Sequence, residues 1–393
     1  MNRAGRLVTQ LEGYVAFEPA PLPPDPPLTF DSEMLQALSR ADLCLGRLDG
    51  IARRVPNPDL FVAMYVRQEA VLSSQIEGTQ ASLTDVLQFE AGLQGEERLK
   101  DAEEVSNHVR AMNLGLQRLE TLPLSKRLVR EIHGILLEDT RGGQLTPGEF
   151  RKTQNWIGAP GCTLATARFV PPPPHALHDA LDAWERFLHD DSLPAVIQAA
   201  LAHAQFETIH PFLDGNGRIG RLLITFLLCT RGVLKRPLLY LSAYLKKNRA
   251  EYYDRLQAVR DHGHWEQWVK FFLRGIAAAA SDATDTADKI LDLQTKLREQ
   301  VTSDARAANL LRAVDYLFLH PVVTVAQLQA GLGVSAPTAN ALASRCEELH
   351  ILRESTGFKR NRWFQFAPFL ALFESSEPTA TADTPRDQTR SGA

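Results

Sequence analysis

The chain has 393 residues, 43 Lys+Arg against 47 Asp+Glu, and a formal net charge of −4. With 44% hydrophobic and 23% charged residues, it has an ordinary globular balance that excludes wholesale disorder, a collagen-like repeat and a nonspecific polycation. The length accommodates two or three domains at roughly 100–200 residues each, and any nucleic-acid surface must be a local patch. Cys44, Cys162, Cys229 and Cys346 lie far apart with no CxxC pair. That argues against a disulfide scaffold or a cysteine zinc site and points to a reducing, cytoplasmic setting. MNRAGRLVTQLEGYVAF lacks the apolar stretch of a signal peptide, and the longest apolar run, near Leu222–Cys229, is far short of a membrane span. No membrane partner is expected.

Residues 1–28, with PAPLPPDPPL, read as an irregular arm strapped over the surface. Asp31 is placed to cap a helix whose apolar face is Leu38, Ala41, Leu45, Leu48 and Ala52. A second helix follows Pro58 and runs to about Ser74, stopping in a loop-like SSQIEGTQAS. Residues 81–140 are again helical in pattern, and RGGQLTPGEF breaks them. Trp156 and Ile157, then Phe169 and Val170, flank a long tip and predict a β-hairpin ended by Pro171–Pro174. Helices are expected at about Ala176–His189, Pro194–Ile209 and Ile219–Cys229, with more to about residue 302. AAAASDATDTAD marks a boundary, although Ile290, Leu293, Leu297 and Val301 carry a helical pattern through it. Beyond Glu374 there is no Leu, Ile, Val or aromatic residue, which predicts a disordered tail.

The chemistry concentrates in HPFLDGNGRIGR, His210–Arg221. Gly215, Gly217 and Gly220 match G-x-G-x-x-G, but the preceding segment is helical, not a strand. No acidic residue follows at about 20 positions, so a dinucleotide fingerprint fails. The better reading is an anion site at a helix N-terminus. Gly215, Asn216 and Gly217 offer backbone N–H groups, and the helix adds its positive end. Arg218 and Arg221, three apart, share a face beside that nest and suit a polyphosphate. Asp214 is the loop's lone carboxylate and a candidate Mg2+ ligand. His210 has the near-neutral intrinsic pKa of a general base. Together these residues describe phosphoryl or nucleotidyl transfer. His203 reads as a packed residue. His175 and His178 lack further zinc ligands, and Ser73 and Ser74 lack a triad.

The segment resembles the Fic-domain motif H-x-F-x-[DE]-G-N-G-R-x-x-R at all eight fixed positions, each with a background frequency of roughly a few per cent. The resemblance implies an all-helical Fic core and, most often, transfer of AMP from ATP to a protein hydroxyl. His210 would deprotonate the target Tyr, Ser or Thr, and Asp214 would bind Mg2+. Gly215, Asn216 and Gly217 would line the anion hole, and Arg218 and Arg221 would hold the ATP phosphates. The hairpin at residues 154–170 looks like the Fic flap, whose edge aligns a target protein by strand addition. LKKNRAEYYDRL resembles the base-contacting helix, with Asn248 and Tyr252 as adenine-site candidates. SSQIEG matches the inhibitory motif [ST]-x-x-x-E-[GN] through Ser73, Glu77 and Gly78. In this resemblance Glu77 pairs with Arg221 and keeps the γ-phosphate out of its productive place.

Residues 303–370 look like a winged helix-turn-helix: helix, short helix capped by Thr324, GLGV turn, helix Ala336–Leu349, and a strand-turn-strand wing. Thr338, Asn340, Ser344, Arg345, Lys359, Arg360 and Arg362 are its candidate DNA contacts, although Glu347 and Glu348 on the reading helix suit a protein-docking or homodimer role equally. The expected architecture is mainly α, a helical core with a small β-hairpin flap plus a C-terminal winged-helix domain. The domains are 1–95, N-terminal arm and inhibitory helix; 96–285, catalytic core; 286–302, connecting helix; 303–373, winged helix-turn-helix; and 374–393, disordered tail. The expected activity is Mg2+-dependent adenylylation restrained by Glu77. Two alternatives stand beside it: hydrolysis of AMP-protein by the same loop, and a DNA-binding regulator with a nucleotide-sensing core.

Overall fold

A computed structural model describes residues 2–52, 58–93, 99–140, 142–159, 161–356 and 362–374. The expected boundary at 95/96, Lys359, Arg360 and the tail beyond Glu374 lie outside them. The fold is mainly helical, as the periodicity predicts.

The N-terminal arm departs from its sequence reading. Gly5–Thr9 (β1) and Val15–Pro19 (β2) form an antiparallel hairpin with Leu7 opposite Phe17. The prolines that suggested irregularity follow the hairpin, and Phe17 supplies its anchor by burying against Phe169 with ring centroids 5.8 Å apart.

Ser32–Ala52 (α1) starts where Asp31 accepts the Met34 N–H at 2.8 Å. Pro58–Ile76 (α2) runs two residues past the expected Ser74, so Ser73 sits within the helix and Glu77 just past its end. Leu83–Glu90 (α3), Leu99–Arg118 (α4) and Lys126–Leu136 (α5) follow. Among the described residues the flap carries one bridge, Ile157 with Phe169, hydrogen-bonded in both directions. Pro174–Leu188 (α6) leads to Ala195–Ile209 (α7), buried along its length from Val196 to Ile209. A helix buried all round sits at the centre of a core, and α7 forms that centre with Asn216–Thr230 (α8) packed against it; its buried polar residues include His203 and Glu207. The helix α8 starts three residues earlier than expected, because Asn216 and Gly217 are already helical after Gly215 turns the chain at φ 76°. Gly115 of α4 lets that helix approach α8, since a side chain there would strike the Phe226 ring.

Ser242–Lys247 (α9) and Arg249–His262 (α10) precede Trp265–Thr302 (α11), 38 residues without a break. At 1.5 Å per residue it is about 57 Å long. The 285/286 boundary and the connecting helix thus fall inside one continuous helix, whose Ala277, Ala279, Ala280 and Ala283 are small because they are buried, with α1 packed along this helix.

The C-terminal unit contains Ala307–Leu319 (α12), Val322–Thr324 (β3), Val325–Leu332 (α13), Ala336–Glu348 (α14), Arg353–Glu354 (β4), Trp363–Gln365 (β5) and Ala367–Glu374 (α15). Its sheet has the order β3-β5-β4, all antiparallel. Thr324 caps α13 in a reciprocal box with Gln327, as its sequence position predicts. Phe318 meets Phe366 and Phe369 edge-on, both at 5.0 Å, to make a local core. Phe373 then reaches Tyr65 of α2 at 6.0 Å, so this unit packs on the helix that leads to Glu77.

Candidate active site

His210 ends α7 in the left-handed conformation, φ 48°, and that turn lets the next residues fold back before α8 begins. Phe212 is fully buried, its ring stacked on His133 at 3.6 Å and 5° and tilted against Phe150. Asn216 closes the loop: its Oδ1 accepts the Phe212 N–H at 2.9 Å, and its Nδ2 donates to the Phe212 carbonyl at 2.8 Å. The Asn216 side chain is therefore consumed by the loop, and only its backbone can serve the anion nest.

Four supporting residues escaped the sequence reading. Gly148 N–H donates to His133 Nδ1 at 2.8 Å, which makes Nδ1 an acceptor and leaves Nε2 to donate to the Asp214 carbonyl at 3.0 Å. Burial holds the His133 pKa at about 4, so this neutral tautomer persists at pH 7. Arg151 and Asn155 hold the carbonyls of the loop from outside. Glu104 of α4 pairs with Arg218. Each is an isolated polar residue whose partners are distant in sequence; the aromatic and glycine context of GEFR and QNWIG is the one local signal.

The Asp214 carboxylate is 44% exposed, with Arg218 Nη2 3.7 Å from it. Arg221 is almost fully enclosed. Its Nε donates to Ser73 Oγ at 2.7 Å, and Nη2 donates to the Ser73 carbonyl at 3.0 Å and to Glu77 Oε1 at 2.7 Å. Burial opposes the Arg221 charge, but Glu77, Tyr252, Tyr253 and Glu207 outweigh it and hold the guanidinium firmly protonated. Any side chain at Gly217 would strike Glu77 Oε1. Glu77 thus lies over the first turn of α8, where an anion would sit. Gly78 follows with φ 105°, a turn that releases the chain from α2.

His210 has its pKa pressed to about 3, chiefly by burial and then by the Arg260 and Arg151 guanidiniums. Its ring is neutral at pH 7. His203 is a packed residue, as expected: Nδ1 lies 2.9 Å from the Gly220 carbonyl and Nε2 lies 2.9 Å from Tyr252 Oη.

That bond bears on the aromatic base-site candidate. Tyr252 is 1% exposed and spends its hydroxyl on His203. Its neighbour Tyr253 is half-buried, sits under the Arg249 guanidinium at 5.6 Å, and feels Glu77 and Arg221. Tyr253 is the more exposed of the two adjacent rings. Asn248 lies at the α9–α10 junction with its Nδ2 on the Tyr244 carbonyl at 2.9 Å.

In the C-terminal unit Asn340 and Ser344 are exposed on α14, and Thr338 Oγ1 bonds Ser335 Oγ at 2.8 Å. Arg345 is engaged by Asp304 at 2.7 Å and Glu348 at 2.6 Å, which takes it away from a phosphate. The Arg362 guanidinium lies over Phe364 at 5.2 Å.

Glu207, fully enclosed beside Gly220, has its pKa raised to about 7; burial and Glu77 outweigh Arg221 and Arg260. A raised carboxyl pKa gives a stability contribution present below the unfolded value of 4.5 and lost as pH rises through 7. Fully ionised, Glu207 costs about 3 kcal/mol. Urea denaturation should therefore show Glu207→Gln gaining on wild type at pH 8 and not at pH 4.5; an equal difference at both would contradict the shift.

These features describe a mainly helical protein in which the 210–221 loop leads into the N-terminus of α8. The comparisons place its fold. Residues 35–117 match the family described as Fic/DOC family N-terminal, and residues 123–228 match the Fic/DOC family. A protein adenylyltransferase Fic of Drosophila grimshawi is 31% identical over 198 residues, 48% of this chain and 34% of that protein. The protein of the same name from Drosophila yakuba is 29% identical over 282 residues, 67% of this chain and 48% of the relative. The chain spans about a third to a half of the curated relatives it matches. The crystal structure of a Fic family protein from Desulfovibrio desulfuricans G20 aligns with a TM-score of 0.58 at 18% identity, covering 86% of this chain and 97% of that one. That likeness establishes the fold. Among the described residues no helix is long and apolar enough to cross a membrane.

Proposed function

We propose that this chain transfers AMP from ATP to a Tyr, Ser or Thr hydroxyl of a target protein, itself included, and that Glu77 restrains the transfer. The observation that carries this reading is the Glu77 carboxylate on Arg221 and over Gly217: a built-in anion occupies the place a phosphate would take at the start of α8.

In the reaction the target oxygen bonds to the α-phosphorus, pyrophosphate leaves, and the hydroxyl proton passes to neutral His210. Arg221, released from Glu77, and Arg218, shared with Glu104, hold phosphate oxygens. The backbone N–H groups of Asn216 and Gly217 would face the developing charge, and that of Gly215 would join them on leaving Asp214 Oδ1, to which it donates at 2.7 Å. Among the described residues no group of three or more His, Cys, Asp or Glu can hold a metal alone. Asp214, one half-exposed carboxylate beside the phosphate cradle, fits Mg2+ that arrives with the nucleotide, since Mg2+ is commonly held by one or two carboxylates plus substrate phosphates. Mg2+ bound there would neutralise phosphate charge. The flap near residues 154–170 offers a strand edge to the target.

A second reading, removal of AMP from a modified protein, draws on the exposure of Glu77 at the rim of the cradle, where it can orient a water. The winged-helix reading of the C-terminal unit is supported by its order of three helices, α12 to α14, and its antiparallel sheet β3-β5-β4. The ion pairs of Arg345 with Asp304 and Glu348 support a protein-docking role for this unit beside the DNA-binding one.

The test is incubation of the Glu77→Gly protein with ATP labelled at the α- or the γ-phosphate, with mass spectrometry of the product. The reading expects α-label only, as one AMP per modified hydroxyl. Transfer of γ-label overturns it. Release of AMP from the modified protein by wild type selects the second reading.

A further inference from the structure

Arg151 is 3% exposed, yet among the described residues every acceptor of its guanidinium is a main-chain carbonyl. Nε donates to His210 O at 3.0 Å, Nη1 to Thr153 O at 3.3 Å, and Nη2 to Pro172 O at 2.5 Å and Ile209 O at 3.4 Å. Its backbone N–H donates to Pro211 O at 2.9 Å. Asn155, four residues on, donates from Nδ2 to His210 O at 3.2 Å and to Phe212 O at 2.9 Å. Four successive carbonyls, residues 209 to 212, are thus held by two residues at the root of the flap. The same guanidinium also holds carbonyls at both ends of the flap, Thr153 and Pro172.

Burying a guanidinium is costly, and burial lowers the Arg151 pKa to about 10. A packing role alone does not call for such a group, whereas a planar fork with five donors suits the tying of three separate chain segments. His210 also sits at positive φ, a conformation that a non-glycine residue keeps when its surroundings hold it there.

We propose that Arg151 and Asn155 are positioning residues that keep the flap in register with His210. The inference rests on the transfer reading above and deepens it. The flap sets where the target main chain lies, the loop sets where the base lies, and the clamp fixes the distance between them. A misplacement of about 1 Å between reacting groups costs roughly 10²-fold in rate. Lysine, a point charge on a flexible stem, cannot hold these acceptors together.

The experiment compares Arg151→Lys and Asn155→Ala with their parent Glu77→Gly. It reads single-turnover AMP transfer, affinity for a non-hydrolysable ATP analogue, and amide hydrogen exchange. For Arg151→Lys the expected result is a fall in transfer of roughly 10²-fold, with analogue affinity within about threefold. Exchange should rise together in peptides covering 151–158, 168–172 and 209–213. Asn155→Ala should show the same pattern at smaller amplitude, and it decides the matter if Arg151→Lys does not fold. Unchanged transfer, or exchange that rises in one segment alone, would overturn the clamp. A loss of analogue affinity as large as the loss of rate would also overturn it, by making the role merely structural. If the parent itself transfers no AMP, the transfer reading falls, while coupled or uncoupled exchange still decides whether the clamp exists.

Discussion

AMP transfer by the Glu77→Gly protein is expected to fall roughly 10²- to 10⁴-fold when His210 becomes Ala. The geometry states why. His210 ends α7 and is not among the groups proposed to hold phosphate, which are Arg218, Arg221 and the amides at the start of α8. Removing the ring should lower the rate constant and leave nucleotide affinity nearly unchanged. The direction of the pKa shift adds a second expectation. A base held at about 3 by burial and two guanidiniums is already deprotonated at pH 5. In the free enzyme, then, kcat/KM should show no His210 limb between pH 8 and pH 6. Single-turnover labelling with a parallel binding titration checks both. A variant that transfers at the parental rate would remove His210 from the chemistry.

Phe212→Ala should destabilise the protein by about 3–5 kcal/mol, the usual cost of deleting a fully buried aromatic side chain. Phe212 joins two parts of the site. Its ring lies flat on His133, which holds the Asp214 carbonyl, and its backbone is the clasp for Asn216 and Asn155. The cavity would open against His133 and Phe150, both fixed by their own hydrogen bonds or packing, so little collapse can relieve it. Urea denaturation gives the difference, and a cost below about 1 kcal/mol would mean that the loop repacks.

The loop was legible as a candidate site because its residues are local: His210, Asp214, the glycine turn and two arginines fall within twelve residues, and helical spacing places the arginines on one face without tertiary knowledge. The Glu77–Arg221 pair spans a separation of 144 residues, and no local pattern joins them; the resemblance of SSQIEG to an inhibitory motif did. His133, Arg151, Asn155 and Glu104 were not legible. Each acts through one side chain on a distant backbone or charge, and an isolated polar residue carries no periodic signal. The burial of Tyr252 was not legible for a different reason. Adjacent tyrosines on a helix point about 100° apart, and the helix pattern alone leaves open which one turns inward; the hydroxyl bond to His203 decided it. The N-terminal hairpin was masked by the proline run that follows it, and α11 by an alanine-rich stretch that resembles a linker until its buried face against α1 is known.

The most direct test of the account is α-label transfer by wild type and Glu77→Gly at equal ATP and Mg2+. A carboxylate that must leave Arg221 before a phosphate can enter predicts a rise of roughly 10- to 100-fold, the equivalent of about 1.4–3 kcal/mol of coupling. Equal labelling by the two proteins would mean that Glu77 does not stand in the way of the nucleotide.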